Sequence, residues 1–179
     1  MISYKRLALA LEFYRDRGYT LVDLPWVASR EAVTVTAPKG AKLFTGPGGW
    51  LVASAEQSFL EQTMDYFLPL NKKYVAITPC FRDEAIRDSL HKPYFMKVEL
   101  FECALNGAPG YGMLADAFSF FGSQTTGDLT TQTKTTEVDI LLNGVEVGSY
   151  GVRSYGPYTW SYGTGLAEPR FGQANGRKV

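Results

Sequence analysis

The spacing of hydrophobic positions changes several times along the chain, and each change marks an element. Tyr4, Leu7, Leu11 and Tyr14 recur at helical spacing, so the pattern predicts a helix over residues 3–17, stopped by Gly18. Residues 19–24 read as a strand ended by Pro25, and residues 32–36, rich in β-branched side chains, read as another. The loop over residues 37–49 holds two prolines and four glycines, which suits either a lid or a cluster of turns. A short strand over residues 50–53 leads into the helical run SAEQSFLEQTMDYFLP, with Leu60, Met64 and Phe67 on one face and Pro69 as its stop. Another helix, near residues 113–121, aligns Leu114, Phe118 and Phe121, and the polar stretch GSQTTGDLTTQTKTT reads as a loop. Asn143-Gly144 is a two-residue hairpin turn between strands over residues 137–142 and 145–150. A last strand, residues 158–162, runs into GTGLAEPRFGQANGRKV.

The clearest alternation lies in the middle, in YVAITPCFRDEAIRDSLHKPYFMKVELFEC. Tyr74, Ala76, Thr78, Cys80, Arg82 and Glu84 share one face of a first strand, and Val75, Ile77 and Phe81 take the other. On a second strand Phe95, Lys97, Glu99, Phe101 and Cys103 oppose Met96, Val98 and Leu100. Each strand is therefore expected to carry one oily and one charged face. Paired antiparallel, they would bring Arg82, Glu84, Phe95 and Glu99 onto one surface. That set can hold a nucleotide, the guanidinium meeting a phosphate and the ring stacking on a base. It equally suits a solvated sheet face laced with cross-strand ion pairs. The turn before the second helix is similarly double. Ser54 and Gln57 match a capping box, while Ser54 and Glu56 would also sit at a strand-to-helix junction facing Arg82.

Composition narrows the picture. Antiparallel pairs with separate helices argue an α+β fold, and 179 residues without a linker, repeat or charge block argue one domain over residues 1–179. Eighteen Lys and Arg balance eighteen Asp and Glu, which removes the simplest case for a nucleic-acid binder. Cys80 and Cys103 make neither a disulfide framework nor a zinc site by themselves and read as small buried hydrophobes. His91, the only histidine, falls in the loop between the central strands and reads as exposed and incidental. The N-terminal run lacks a signal-peptide cleavage site and no apolar run approaches 18 residues, so a reducing cytoplasm without membrane attachment is expected.

Five segments in order then resemble one family. TPCFRDE followed by YFMKVELFE resembles motif 2 of the class II aminoacyl-tRNA synthetases, in the flavour of the seryl, threonyl and prolyl subclass. The helix–strand unit ending at Pro25 resembles motif 1, and SAE at residues 54–56 resembles the loop that holds the amino acid's ammonium group. DILLNGVEVGSYGVR resembles the strand with a metal-binding Glu and a Ser three residues on, and GTGLAEPR resembles motif 3, with its terminal arginine. The resemblance implies a six- or seven-stranded, mainly antiparallel sheet flanked by helices, of the class II synthetase and biotin ligase kind. It implies ATP-dependent activation of an amino acid, or a similar carboxylic acid, to an adenylate, with ATP and Mg²⁺ at the site. Carried over by match, Arg82 would bind the α-phosphate, Glu84 the adenine amino group and Phe95 the adenine face. Arg170 would flank the base and reach the terminal phosphates, and Glu146 and Ser149 would hold the metal. Ser54, Glu56 and Glu99 would line the amino-acid pocket.

The sequence also departs from the family. No anticodon-binding domain or N-terminal coiled-coil arm is read in it, the loop over residues 85–94 is short, and nine residues follow Arg170. The expectation is transfer to an acceptor other than ordinary tRNA, from a homodimer formed through the motif 1 helix. Two other readings are a silent paralogue that binds a nucleotide or amino acid, and a minimal tRNA synthetase served by a separate RNA-binding subunit.

Overall fold

A computed structural model describes residues 1–37, 41–83, 90–105 and 112–176. Helix α1 (Tyr4–Arg15) starts where the Ser3 hydroxyl accepts the Arg6 N–H, and the chain leaves it through Gly18 at a φ of 83°. Its buried side chains are Leu7, Ala10 and Tyr14; Tyr4, expected in that stripe, is 68% exposed. β1 (Thr20–Leu21) is shorter than expected, and β2 (Val27–Ala28) precedes a helix where a strand was expected. This α2 (Arg30–Thr36) is nucleated by Ser29, whose hydroxyl accepts the Ala32 N–H while its own N–H donates to Glu61. Ala32 and Val33 pack beside Val52, and cap plus burial outweigh the β preference of the valines and threonines. β3 (Thr45–Gly46) and β4 (Gly49–Leu51) complete a small sheet in the order β2-β4-β3.

The remaining elements are α3 (Ala55–Met64), β5 (Lys73–Phe81), β6 (Tyr94–Leu105), α4 (Gly112–Gln124), β7 (Leu129–Thr133), β8 (Glu137–Leu142), β9 (Val145–Tyr155), β10 (Tyr158–Glu168) and α5 (Arg170–Asn175). The main sheet is seven-stranded, in the order β1-β5-β6-β10-β9-β8-β7, and parallel only between β1 and β5. The fold is thus α+β, as expected. β7 lies in the stretch read as a polar loop: its threonines are exposed, as an edge strand with little to bury requires. On α4 the buried residues are Met113, Ala117, Phe120 and Phe121, so the stripe lies one position away from the expected Leu114 and Phe118.

Alternation on the central hairpin survives, but both faces are apolar over much of their length. One face packs Val75, Val98, Leu100, Ile140 and Leu166 against α1, α4 and α5. The other packs Tyr74, Ala76, Phe101, Cys103 and Trp160 against Phe59 and Leu60 of α3, with Phe59 and Phe101 stacked at 4.9 Å. The charged face expected for these strands is therefore confined to the part that α3 does not cover. That uncovered part is the floor of a cavity. Among the described residues no helix is long and apolar enough to cross a membrane.

Candidate active site

The cavity has a volume of about 430 Å³, within the range of small-ligand sites. Its outer end is built on the open tip of the β5–β6 hairpin. Arg82 follows β5, its N–H donating to Pro93 O across the hairpin at 2.9 Å, and its Nε donates to Ala53 O at 3.1 Å. These bonds hold the guanidinium 5.2 Å from the Phe95 ring centroid. Across the opening, Arg170 begins α5 just after the cis Glu168–Pro169 bond, with Nη2 3.5 Å from Leu90 O and Nη1 3.7 Å from Glu146.

Glu146 and Ser149 both line this cavity although they are three residues apart on one strand. Regular alternation would put them on opposite faces. The β8–β9 pairing explains the exception: Ile140 pairs with Gly148 but Leu141 pairs with Glu146, leaving Val147 as an extra residue. This bulge restarts the alternation, so Glu146 and Ser149 face the cavity while Val147 and Tyr150 both enter the core behind. A second register shift, between Thr164 and Leu166, adjusts β10 near the same floor.

The inner end is a network of paired charges. Glu99 is buried; it accepts Ser54 Oγ at 2.5 Å, the Ala55 N–H, and Lys97 Nζ at 2.7 Å. Glu56 is also buried, with Oε1 accepting Trp160 Nε1 at 2.8 Å and Oε2 accepting Arg153 Nη1 at 2.6 Å. Burial raises its carboxyl above the usual range, and the Arg153 charge and the Trp160 hydrogen bond pull the other way. Arg153 reaches Glu137 through Nη2 at 3.2 Å, and its guanidinium lies 4.2 Å over the Tyr162 ring. The Tyr162 hydroxyl donates to the same Glu137 oxygen. Register makes this possible: Glu137 pairs with Gly151 and Gly151 with Tyr162, so the missing side chain lets the tyrosine lie across the middle strand. A Cβ on Gly151 would stand 2.6 Å from the Tyr162 hydroxyl.

No family model matches the chain. Serine–tRNA ligase of Fervidobacterium nodosum is 35% identical over 50% of this chain and 24% of its own length, and that of Nitrosococcus oceani is 37% identical over 48% and 23%. Among solved structures, cytoplasmic serine–tRNA ligase from Naegleria fowleri in complex with AMP superposes with a TM-score of 0.69 at 16% identity, over 92% of this chain and 46% of that one. Pyrrolysyl-tRNA synthetase from Desulfitobacterium hafniense gives 0.68 at 15% identity, over 98% and 73%. The chain is a class II aminoacyl-tRNA synthetase-like core. It spans about a quarter of the length of the curated relatives it matches.

Within this synthetase-like core, Arg82, Phe95, Glu146, Ser149, Arg170, Ser54 and Glu56 all line one cavity. Glu99 lies beneath the wall, its oxygens engaged by Ser54, Ala55 and Lys97. Glu84 falls outside the described residues. The capping box is displaced by one position: Ser54 Oγ accepts the Glu56 N–H, and Gln57 Oε1 accepts the N–H of Ala53 rather than that of Ser54. Sequence reasoning assigned no role to Lys97, Glu137, Arg153 or Tyr162. Arg153 carried a signal, since alternation from Ser149 puts Gly151 and Arg153 on the same face of β9. Glu137 carried none, because its place depends on the β8–β9 register.

Proposed function

We propose that this synthetase-like core activates an amino acid with ATP, forming an aminoacyl-adenylate and pyrophosphate. In that reaction a carboxylate oxygen bonds to the α-phosphorus and the bond to the pyrophosphate oxygen breaks. Negative charge accumulates on the phosphoryl oxygens and the leaving group, so catalysis rests on positioning and fixed positive charge. The observation that carries the reading is that Arg82, Phe95, Glu146 and Arg170, far apart in sequence, meet around one cavity. In this assignment Arg82 holds the α-phosphate, Phe95 stacks on the adenine, and Arg170 steadies the outer phosphates.

A magnesium ion suits the donor set. This metal takes one or two protein carboxylates with the rest of its shell from phosphate and water, so the absence of any group of three acidic, His or Cys ligands among the described residues is no obstacle. Glu146, 42% exposed and 3.7 Å from Arg170, would hold it together with Ser149. When bound, the ion would neutralise phosphate charge. Amino-acid-dependent exchange of pyrophosphate into ATP tests the proposal; no exchange with any amino acid or related acid overturns it.

Transfer of the acyl group to an acceptor other than ordinary tRNA is part of the proposal. It is supported by the zero formal charge, which removes the simplest case for phosphate neutralisation, and by the small number of residues between β5 and β6. Aminoacylation of total tRNA by this chain alone would refute that part. A homodimer through α1 is supported by the exposed Tyr4 and Leu9 on that helix. Light scattering at the monomer mass would exclude it.

A further inference from the structure

Beside the outer end of the cavity stands a cation that the adenylation reading leaves unused. The bulge that turns Glu146 into the cavity follows the pairing of Asp139 with Ser149, so Asp139, Ser149 and Glu146 share one face of the β8–β9 pair. Asp139 is buried, and its Oδ1 has no hydrogen-bond partner among the described residues. Its Oδ2 is engaged by the Lys134 ammonium, and the same ammonium lies 3.8 Å from Glu146 Oε2. Glu146 Oε1 in turn lies 3.7 Å from Arg170. Lys134 directly follows β7, and its backbone N–H donates to Glu137 O at 2.7 Å, which ties it to the strand that carries Asp139. The ammonium is thus tethered through the backbone as well as held by charge, although the side chain is 47% exposed.

The two carboxylates are held unequally. Asp139 has the close contact, and detaching the ammonium would strand a buried charge. Glu146 is exposed, and its two cationic neighbours stand beyond hydrogen-bond range, so it can leave them at little cost. A free divalent ion approaching Glu146 meets both of those positive charges, while Asp139, already neutralised, adds little attraction. ATP changes the balance, because its phosphates supply negative charge on the far side of the ion. We propose that Lys134 is a built-in counter-ion that keeps Asp139 and Glu146 closed to free divalent cations, so that the site retains a metal ion only together with ATP. This deepens the adenylation reading above, in which Glu146 and Ser149 hold the metal.

The test reads thermal stability against the concentration of Mn²⁺, used as the probe ion, with and without ATP. Without nucleotide, Lys134→Gln reaches half-maximal stabilisation at a Mn²⁺ concentration at least about tenfold below that of the wild type, because the repelling charge is gone and Asp139 attracts the ion. The gain disappears in Lys134→Gln/Asp139→Asn, and Lys134→Arg, which keeps the charge, behaves as the wild type does. In the wild type, ATP lowers the Mn²⁺ requirement by a comparable factor. Equal Mn²⁺ dependence of the wild type and folded Lys134→Gln, without nucleotide, overturns the inference and leaves adenylation standing. A gain in Lys134→Arg overturns it as well, and that result is readable even where Lys134→Gln fails to fold. A gain that persists in the double variant overturns the placement of the ammonium as guard of Asp139. A wild type that gains nothing from Mn²⁺ and ATP together, whatever Lys134→Gln does with the ion alone, overturns the ATP-binding reading and with it the joint retention.

Discussion

At the outer end of the cavity Arg170 and Glu146 stand 3.7 Å apart, 26% and 42% exposed; at the inner end Arg153 and Glu56 stand 2.6 Å apart, and Glu56 is 5% exposed. The same two residue types thus make two different things. The outer pair is loose and wet, so its charges are available to a ligand at little cost. The inner pair is dry and further tied by Trp160, so breaking it strands a carboxylate in the interior. An arginine in a cavity is therefore not by itself a ligand-binding arginine. What decides is whether its partner can do without it.

The largest expected effect breaks the outer end alone. Arg82→Ala removes the guanidinium proposed to meet the α-phosphate, and pyrophosphate exchange should fall by about 10²- to 10³-fold. The melting temperature should change little, because the bond lost from the Arg82 side chain is the one to Ala53 O, and the Arg82 backbone bond to Pro93 O remains. Exchange within twofold of wild type would remove Arg82 from the chemistry.

The second effect compares the two arginines directly. Arg153→Met leaves the Glu56 carboxylate, among the described residues, with the Trp160 hydrogen bond alone and should lower unfolding free energy by about 1–3 kcal/mol, a figure below that of a fully buried pair because Arg153 is 33% exposed. Arg170→Met should change stability by less than about 0.5 kcal/mol while weakening ATP-dependent stabilisation. Urea unfolding of both variants measures this. Equal losses would erase the distinction between the ends.

These differences mark how far the sequence could be read. Arg82 and Phe95 were legible because Phe95 pairs with Cys80 across the hairpin, and alternation from Cys80 puts Arg82 on the same face. Glu146 and Ser149 were legible only by resemblance, since a period of two separates them until the bulge at Val147 is known. The inner clamp was hidden because it joins α3, β8, β9 and β10, and no local pattern reports a register across four elements. Residues 32–36 misled for a related reason. Their β-branched run favours a strand in isolation, and only the Ser29 cap and the contact with Val52 decide for a helix.

A third, smaller effect sharpens the inner end without touching a charge. Gly151→Ala places a methyl 2.6 Å from the Tyr162 hydroxyl and should push it off Glu137. The expected result is about 1–2 kcal/mol of lost stability, with a several-fold rise in the amino-acid concentration needed for half-maximal exchange. Unchanged dependence on ATP would place the damage at the inner end. Partial restoration by Tyr162→Phe, which removes the nearest clashing atom but leaves the ring carbon Cζ at 2.9 Å, would show steric contact as the cause of the stability loss.

The smallest effect is a pH dependence, and it belongs to Glu56. Burial holds its folded-state carboxyl above the reference value of 4.5, against the opposing pull of Arg153 and Trp160. The folded protein therefore binds a proton here more readily than the unfolded chain does. Its contribution to stability is fully present below the unfolded value and is lost as pH rises through the folded one. Glu56→Gln removes this titration and leaves the other carboxylates in place. Unfolding free energy of the wild type minus that of Glu56→Gln, measured in urea at a series of pH values from below 4.5 upward, should fall and then level off. A difference that rises with pH would mean that Arg153 and Trp160 outweigh the cost of burial, and that the clamp is held by attraction strong enough to depress the carboxyl.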